Sequence, residues 1–147
     1  MQYSEAKQGR IFVIRLEHGE VIHETIEKFA TQHQISSAAL IIVGAADKES
    51  QLIVGPKDAD AKPVIPVSLM MERVHEICGT GTLFLDDHGK PMLHMHIACG
   101  SQDKTLVGCI RNGVKVWQVL EVILYEILDS TARRLPDPNT GFKLLCP

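Results

Sequence analysis

Apolar positions are spaced in three distinct ways along this chain. "RIFVIRL", Arg10 to Leu16, is a β-branched and aromatic run that reads as a first strand, ended by the turn "EHGE". In "EVIHETIEKFATQHQ", Ile22, Ile26, Phe29 and Ala30 recur at the spacing of one helical face. That spacing predicts an amphipathic helix with His23, Glu27 and Gln34 toward water. "SAALIIVGAA", Ser37 to Ala46, shows no alternation and suits a strand covered on both faces, or a buried helical turn. "SQLIVGP" is a further strand stopped by Gly55 and Pro56, and "KDADAKP" a polar loop. "IPVSLMMERVHEICGTGTLFL" reads as extended segments broken by Gly79 and Gly81. "DDHGKP" is a hairpin turn with His88 in solvent.

Next come "MLHMHIAC" and "KTLVGCIR", joined by the turn "GSQD". Asn112-Gly113 predicts a type I′ hairpin leading into a long strand, or strand pair, from Val114 to Leu128. "DSTARRLPDPNTGFKLLCP" is polar and Pro-rich with an apolar end, and is expected to wrap the surface rather than form a sheet element. The pattern gives one or two helices against roughly seven strands joined by short turns, hence α+β with an antiparallel sheet. The expected organisation is one domain over residues 1–147, with a sheet-and-helix core over 8–129 and a tail over 130–147.

Composition narrows the function classes. Apolar residues make up 45% and charged residues 22% of 147, an ordinary globular balance large enough to fold without disulfide staples. The net charge is −3 and the pI about 6.1. Clustered Lys and Arg are lacking, so a strong sequence-independent grip on nucleic acid is not expected. Cys78, Cys99, Cys109 and Cys146 form no C-x-x-C pair. "MQYSEAKQGR" has no apolar signal core, and no apolar run reaches the ~18 residues of a membrane span. The expectation is a cytoplasmic protein with reduced thiols.

The chemistry concentrates in "PMLHMHIACGSQDKTLVGC". Strand alternation puts Leu93, Met95 and Ile97 on the core face and His94, His96 and Ala98 on the other. The two imidazoles then stand roughly 6.6–7 Å apart at the backbone, close enough to share an ion. Cys109 reaches the same spot if the next strand pairs in register. Two histidines and a cysteine form a borderline-soft set that suits Zn²⁺ with a fourth position open. The bland reading is two polar residues on a wet strand face and a small buried thiol.

The chain resembles the plant and prokaryote conserved (PPC) domain. The likeness runs from about Gly9 to Leu145, through "GRIFVIRLEHGEVIHETIEKFATQHQISSAALIIVGAA", "EICGTGTL", "MLHMHIAC", "LVGCIRNGVKVWQVLEV" and "RRLPDPNTGFKLL". The resemblance implies an antiparallel sheet of about seven strands flanked by helices and assembled as a homotrimer. In plants the domain follows an AT-hook in nuclear DNA-binding proteins; in bacteria and archaea it stands alone. The family pattern is H-x-H, then G-G-H after a turn. His94 and His96 fall on the first motif. The second is Val107-Gly108-Cys109 here, so cysteine replaces the third histidine. Glu76 and Asp103 are nearby candidates for a fourth ligand or proton carrier.

Two functions follow as expectations. One is a homotrimeric assembly or interaction module, DNA-associated or regulatory, with a metal site and with room for other protein partners. The alternative is a metal-dependent enzyme in which a zinc-activated water acts on a small molecule. The AT-hook core R-G-R-P is absent and Arg133-Arg134 is the only adjacent basic pair, so direct DNA binding is expected to be weak or absent. Trp117, Leu120, Ile123 and Tyr125 cannot all share one face, which points to a partner subunit or to a helix covering the outer face; the resemblance favours the subunit.

Overall fold

Alternation holds along the strand that carries both histidines. Leu93, Met95, Ile97 and Cys99 are buried, while His94 and His96 are exposed on the opposite face. The structure, a computed structural model, describes residues 1–102 and 104–147. In chain order the elements are β1 (Lys7–Glu17), α1 (Ile22–Gln32), β2 (Ser37–Ala46), β3 (Gln51–Pro56), β4 (Pro66–Met70), β5 (His75–Leu85), β6 (Pro91–Ser101) and β7 (Lys104–Cys109). A 3-10 turn at Ile110–Asn112 leads to β8 (Val116–Leu128), β9 (Arg133–Pro136) and β10 (Lys143–Cys146).

Eight strands make one sheet in the order β1-β8-β2-β5-β6-β7-β3-β4, and every named strand pair is antiparallel. With one α-helix against it, the fold is a mostly-β member of the α+β class, as the pattern predicts. The strands of the main sheet number one more than expected, and β5 runs unbroken through Gly79 and Gly81.

The helix buries Ile22, Ile26 and Ala30, and Phe29 stacks edge-on against Phe12 of β1 at 5.3 Å. This covers one face of the sheet and closes the core with Leu16, Leu40, Leu83, Met95, Ile97 and Leu120. Glu27 does not point freely to water: its carboxylate accepts the Leu93 N–H at 2.8 Å. The otherwise unpaired amide at the start of β6 thus fixes the helix against the strand.

Three further expectations are corrected. Asn112-Gly113 does not make a type I′ hairpin. Ile110 is buried in a 3-10 turn, Gly113 takes φ +98°, and the chain crosses over so that β8 inserts between β1 and β2. β2 is covered on one face only, since Ile41 and Val43 remain 49% and 55% exposed. The tail forms a two-stranded sheet, β9 with β10, rather than an irregular wrap. Asp86 tethers it: its side chain accepts from Lys143 Nζ at 2.8 Å and its backbone forms an isolated parallel β-bridge with that of Arg134.

Candidate metal centre

One row of residues crosses the outer face of the sheet. Register pairs Val13 with Ile123, Ile123 with Ile41, Ile41 with Thr80, Thr80 with His96, His96 with Cys109, and Cys109 with Ile53. Residues paired across antiparallel strands project to the same side. His96 and Cys109 therefore meet, and His94, two residues along β6, joins them.

The Nε2 atoms of His94 and His96 are 3.2 Å apart, and their rings stand nearly perpendicular at 79°. With Cys109 Sγ, all three ligand atoms lie within 4.8 Å of one another. Two nitrogens on one tetrahedral Zn²⁺ at about 2.0–2.1 Å would lie roughly 3.3 Å apart, so the imidazole spacing fits a shared ion. The donor set, two imidazoles and a thiol, fits a borderline-soft divalent metal and would leave a fourth position for another ligand.

That cleft has a volume of about 460 Å³. His94, His96 and Cys109 lie at one side, and the tail supplies Arg134, Phe142, Lys143, Leu144 and Leu145. Arg111, just after Cys109, completes the lining with Ile53, Gly55 and Pro66. Cys109 is only 8% exposed. Arg134 is 3% exposed and ties the site together: Nη2 donates to Thr82 Oγ1 at 2.8 Å and to Thr82 O at 3.2 Å, while Nε donates to Met92 O at 3.4 Å. Thr82 is the register partner of His94.

Electrostatics favour neutral imidazole at His94. Partial desolvation of the ring by its neighbours, then the charges of Arg134 and Arg111, then His96, hold its pKa down to about 4. A metal ligand must be deprotonated, so this arrangement suits ligation. The other buried thiol, Cys99, is pushed up to about 12 by burial and then by Cys78, which marks it as an inert core cysteine.

Of the two expected carboxylates, Glu76 does not enter the group. Glu76 pairs with Gly100 at the far end of the β5–β6 ladder, roughly 13 Å along the strand from Thr80 at about 3.3 Å per residue. Asp103 lies outside the described residues. Sequence reading missed Arg134 and Arg111. Arg133-Arg134 was visible as a basic pair, but nothing local shows that the tail folds back over β5 and β6.

A family model, the Plants and Prokaryotes Conserved (PCC) domain, matches residues 3–128. The chain belongs to this family. The PCC fold extends over its full length in two solved structures. A metal-containing protein from Archaeoglobus fulgidus superposes with a TM-score of 0.85 at 24% identity, covering 100% of both chains. A plant- and prokaryote-conserved (PPC) protein from Pyrococcus horikoshii gives 0.82 at 20% identity, again covering 100% of both. The bifunctional protein GlmU of Synechococcus sp. is 25% identical over 134 residues, 90% of this chain. The PCC chain spans only 20% of that protein's length.

Proposed function

We propose that this PCC-domain chain is a zinc-binding protein whose site opens onto a small-molecule cleft and which works as a homotrimer. The observation that carries the metal reading is the His96–Cys109 register pair, which brings three ligand atoms within 4.8 Å of one another. The description of the Archaeoglobus fulgidus relative as metal-containing supports it. His94, His96 and Cys109 would hold the ion, and a reducing, cytoplasmic setting would keep Cys109 available as a thiolate. Bound zinc would supply a Lewis-acidic position at the edge of the cleft.

Of the two functions, binding is better supported than catalysis. Among the described residues no carboxylate joins the three ligands, and a metal-bound water would need such a base for catalysis. Assembly rests on the uncovered half of the outer face. Ile11, Val13, Ile41, Val43, Val119 and Tyr125 are exposed there on β1, β8 and β2. Copies of the same chain are the proposed cover. The net charge of −3 argues against direct DNA binding, and an anisotropy titration with duplex DNA near physiological salt should stay flat. Submicromolar, sequence-selective binding would contradict this.

Elemental analysis tests the metal reading. The purified wild type should carry zinc. His94→Ala and His96→Ala should lose it, because the two ligands that remain hold an ion poorly. His88→Ala should keep it, since His88 lies in an exposed turn beside Asp87. Cys109→His should retain the metal and Cys109→Ser should weaken it, a hydroxyl being a poor zinc ligand. Metal that survives loss of both histidines would place the ion elsewhere.

A further inference from the structure

Arg134 is 97% out of solvent by its 3% exposure, yet no carboxylate pairs with it among the described residues. Its recorded partners, Thr82 and the Met92 carbonyl, are neutral and use Nε and Nη2. Nη1 makes no hydrogen bond among the described residues and is not sealed from solvent, so it is open to a ligand. Arg111 faces the same cleft and also lacks a salt bridge among the described residues. Lys143, the third cation of the lining, is different: Asp86 and Asp87 accept from it at 2.8 and 2.5 Å, so its charge is already matched. Arg134 thus carries a buried charge with no carboxylate partner among the described residues, and the exposed Arg111 adds a second guanidinium to the same cleft. The Cys109 sulfur favours the Arg134 charge only when ionised, and burying such a charge is costly unless an anion meets it. Burial, then Arg111, disfavour the charge on Arg134, while Cys109 favours it.

We infer that the cleft is a binding site for a small organic oxyanion, a carboxylate or a phosphate ester, whose head sits between Arg134 and Arg111 and whose apolar body packs on Phe142 and Leu144. The planar guanidinium fork matches both oxyanions. The volume of about 460 Å³ lies in the range of small-ligand pockets. The arginine anchor stands by itself. The inference rests on the metal reading only for a second anchor, an oxygen of the same head at the open metal position.

Calorimetric titration of benzoate, phenyl phosphate, inorganic phosphate and neutral benzyl alcohol into zinc-loaded and chelator-treated protein tests this. At least one aryl anion should bind with Kd below about 1 mM, and benzyl alcohol at least tenfold more weakly. The preferred anion names the head, and inorganic phosphate, lacking the apolar body, should bind more weakly than phenyl phosphate. Arg111→Gln, at an exposed position that leaves the core intact, should weaken the anion about tenfold. Arg134→Lys, checked for folding by circular dichroism, should weaken it further because the fork is lost. Anion binding to protein that never takes zinc would support this inference while the metal reading fails. Zinc binding without anion binding in either state would overturn the inference and leave the metal reading standing. Equal binding of benzyl alcohol, or an unchanged Kd in Arg111→Gln, would also overturn it.

Discussion

His94 shows how one side chain couples site and stability. Its folded pKa of about 4 lies below the ordinary histidine value of 6.5, so the unfolded chain takes up a proton first as pH falls. The contribution of neutral His94 is therefore complete above about pH 6.5 and is lost as pH drops toward 4. Metal-free wild type should lose more stability between pH 7.5 and 5 than His94→Gln, by urea midpoints measured at both pH values. Parallel pH dependence in the two proteins would show that His94 is not held neutral. Zinc should also persist at this ligand to lower pH than a free imidazole would allow. The histidine pair and Cys109 were legible in the sequence because strand alternation is a local rule, and Leu93, Met95 and Ile97 announce it. Arg134 was not legible, because its position depends on a tail that returns over β5 and β6 through Lys143 and Asp86.

At the scale of elements, the β5–β6 ladder sets where the imidazoles stand. Gly79 pairs with Ile97 and Gly81 with Met95. A Cβ on Gly79 would meet the His96 carbonyl oxygen and Ile97 Cγ2, both at 2.6 Å, so neither glycine breaks the strand as the sequence suggested; Gly79 permits close approach of β6. Gly79→Ala should destabilise the fold by about 1–3 kcal/mol through overpacking and displace His96 enough to weaken zinc. Thermal unfolding and a zinc competition titration measure both, and an unchanged zinc affinity would separate the glycine from the site. The helix was readable from its 3.6-residue period. The crossover to β8 was not: Asn112-Gly113 has hairpin chemistry, yet burial of Ile110, Val114 and Val116 directs the chain to the other half of the sheet. Tertiary packing overrode the local turn preference there.

The whole molecule leaves half of its outer sheet face bare. Val13 is 82% exposed and Val43 55%, in a contiguous surface with Ile11 and Ile41. Light scattering at tens of micromolar should report about three times the chain mass of 16.3 kDa, and Val13→Asp with Ile41→Asp should shift it toward one. A monomeric wild type would contradict the trimer. The central claim, that His94, His96 and Cys109 share one ion at the edge of the cleft, is tested most directly by X-ray absorption at the zinc edge of the metal-loaded protein. The account predicts nitrogen neighbours at about 2.0–2.1 Å and one sulfur at about 2.3 Å, with the sulfur shell lost in Cys109→Ser. A first shell without sulfur, or one unchanged by Cys109→Ser, would contradict it.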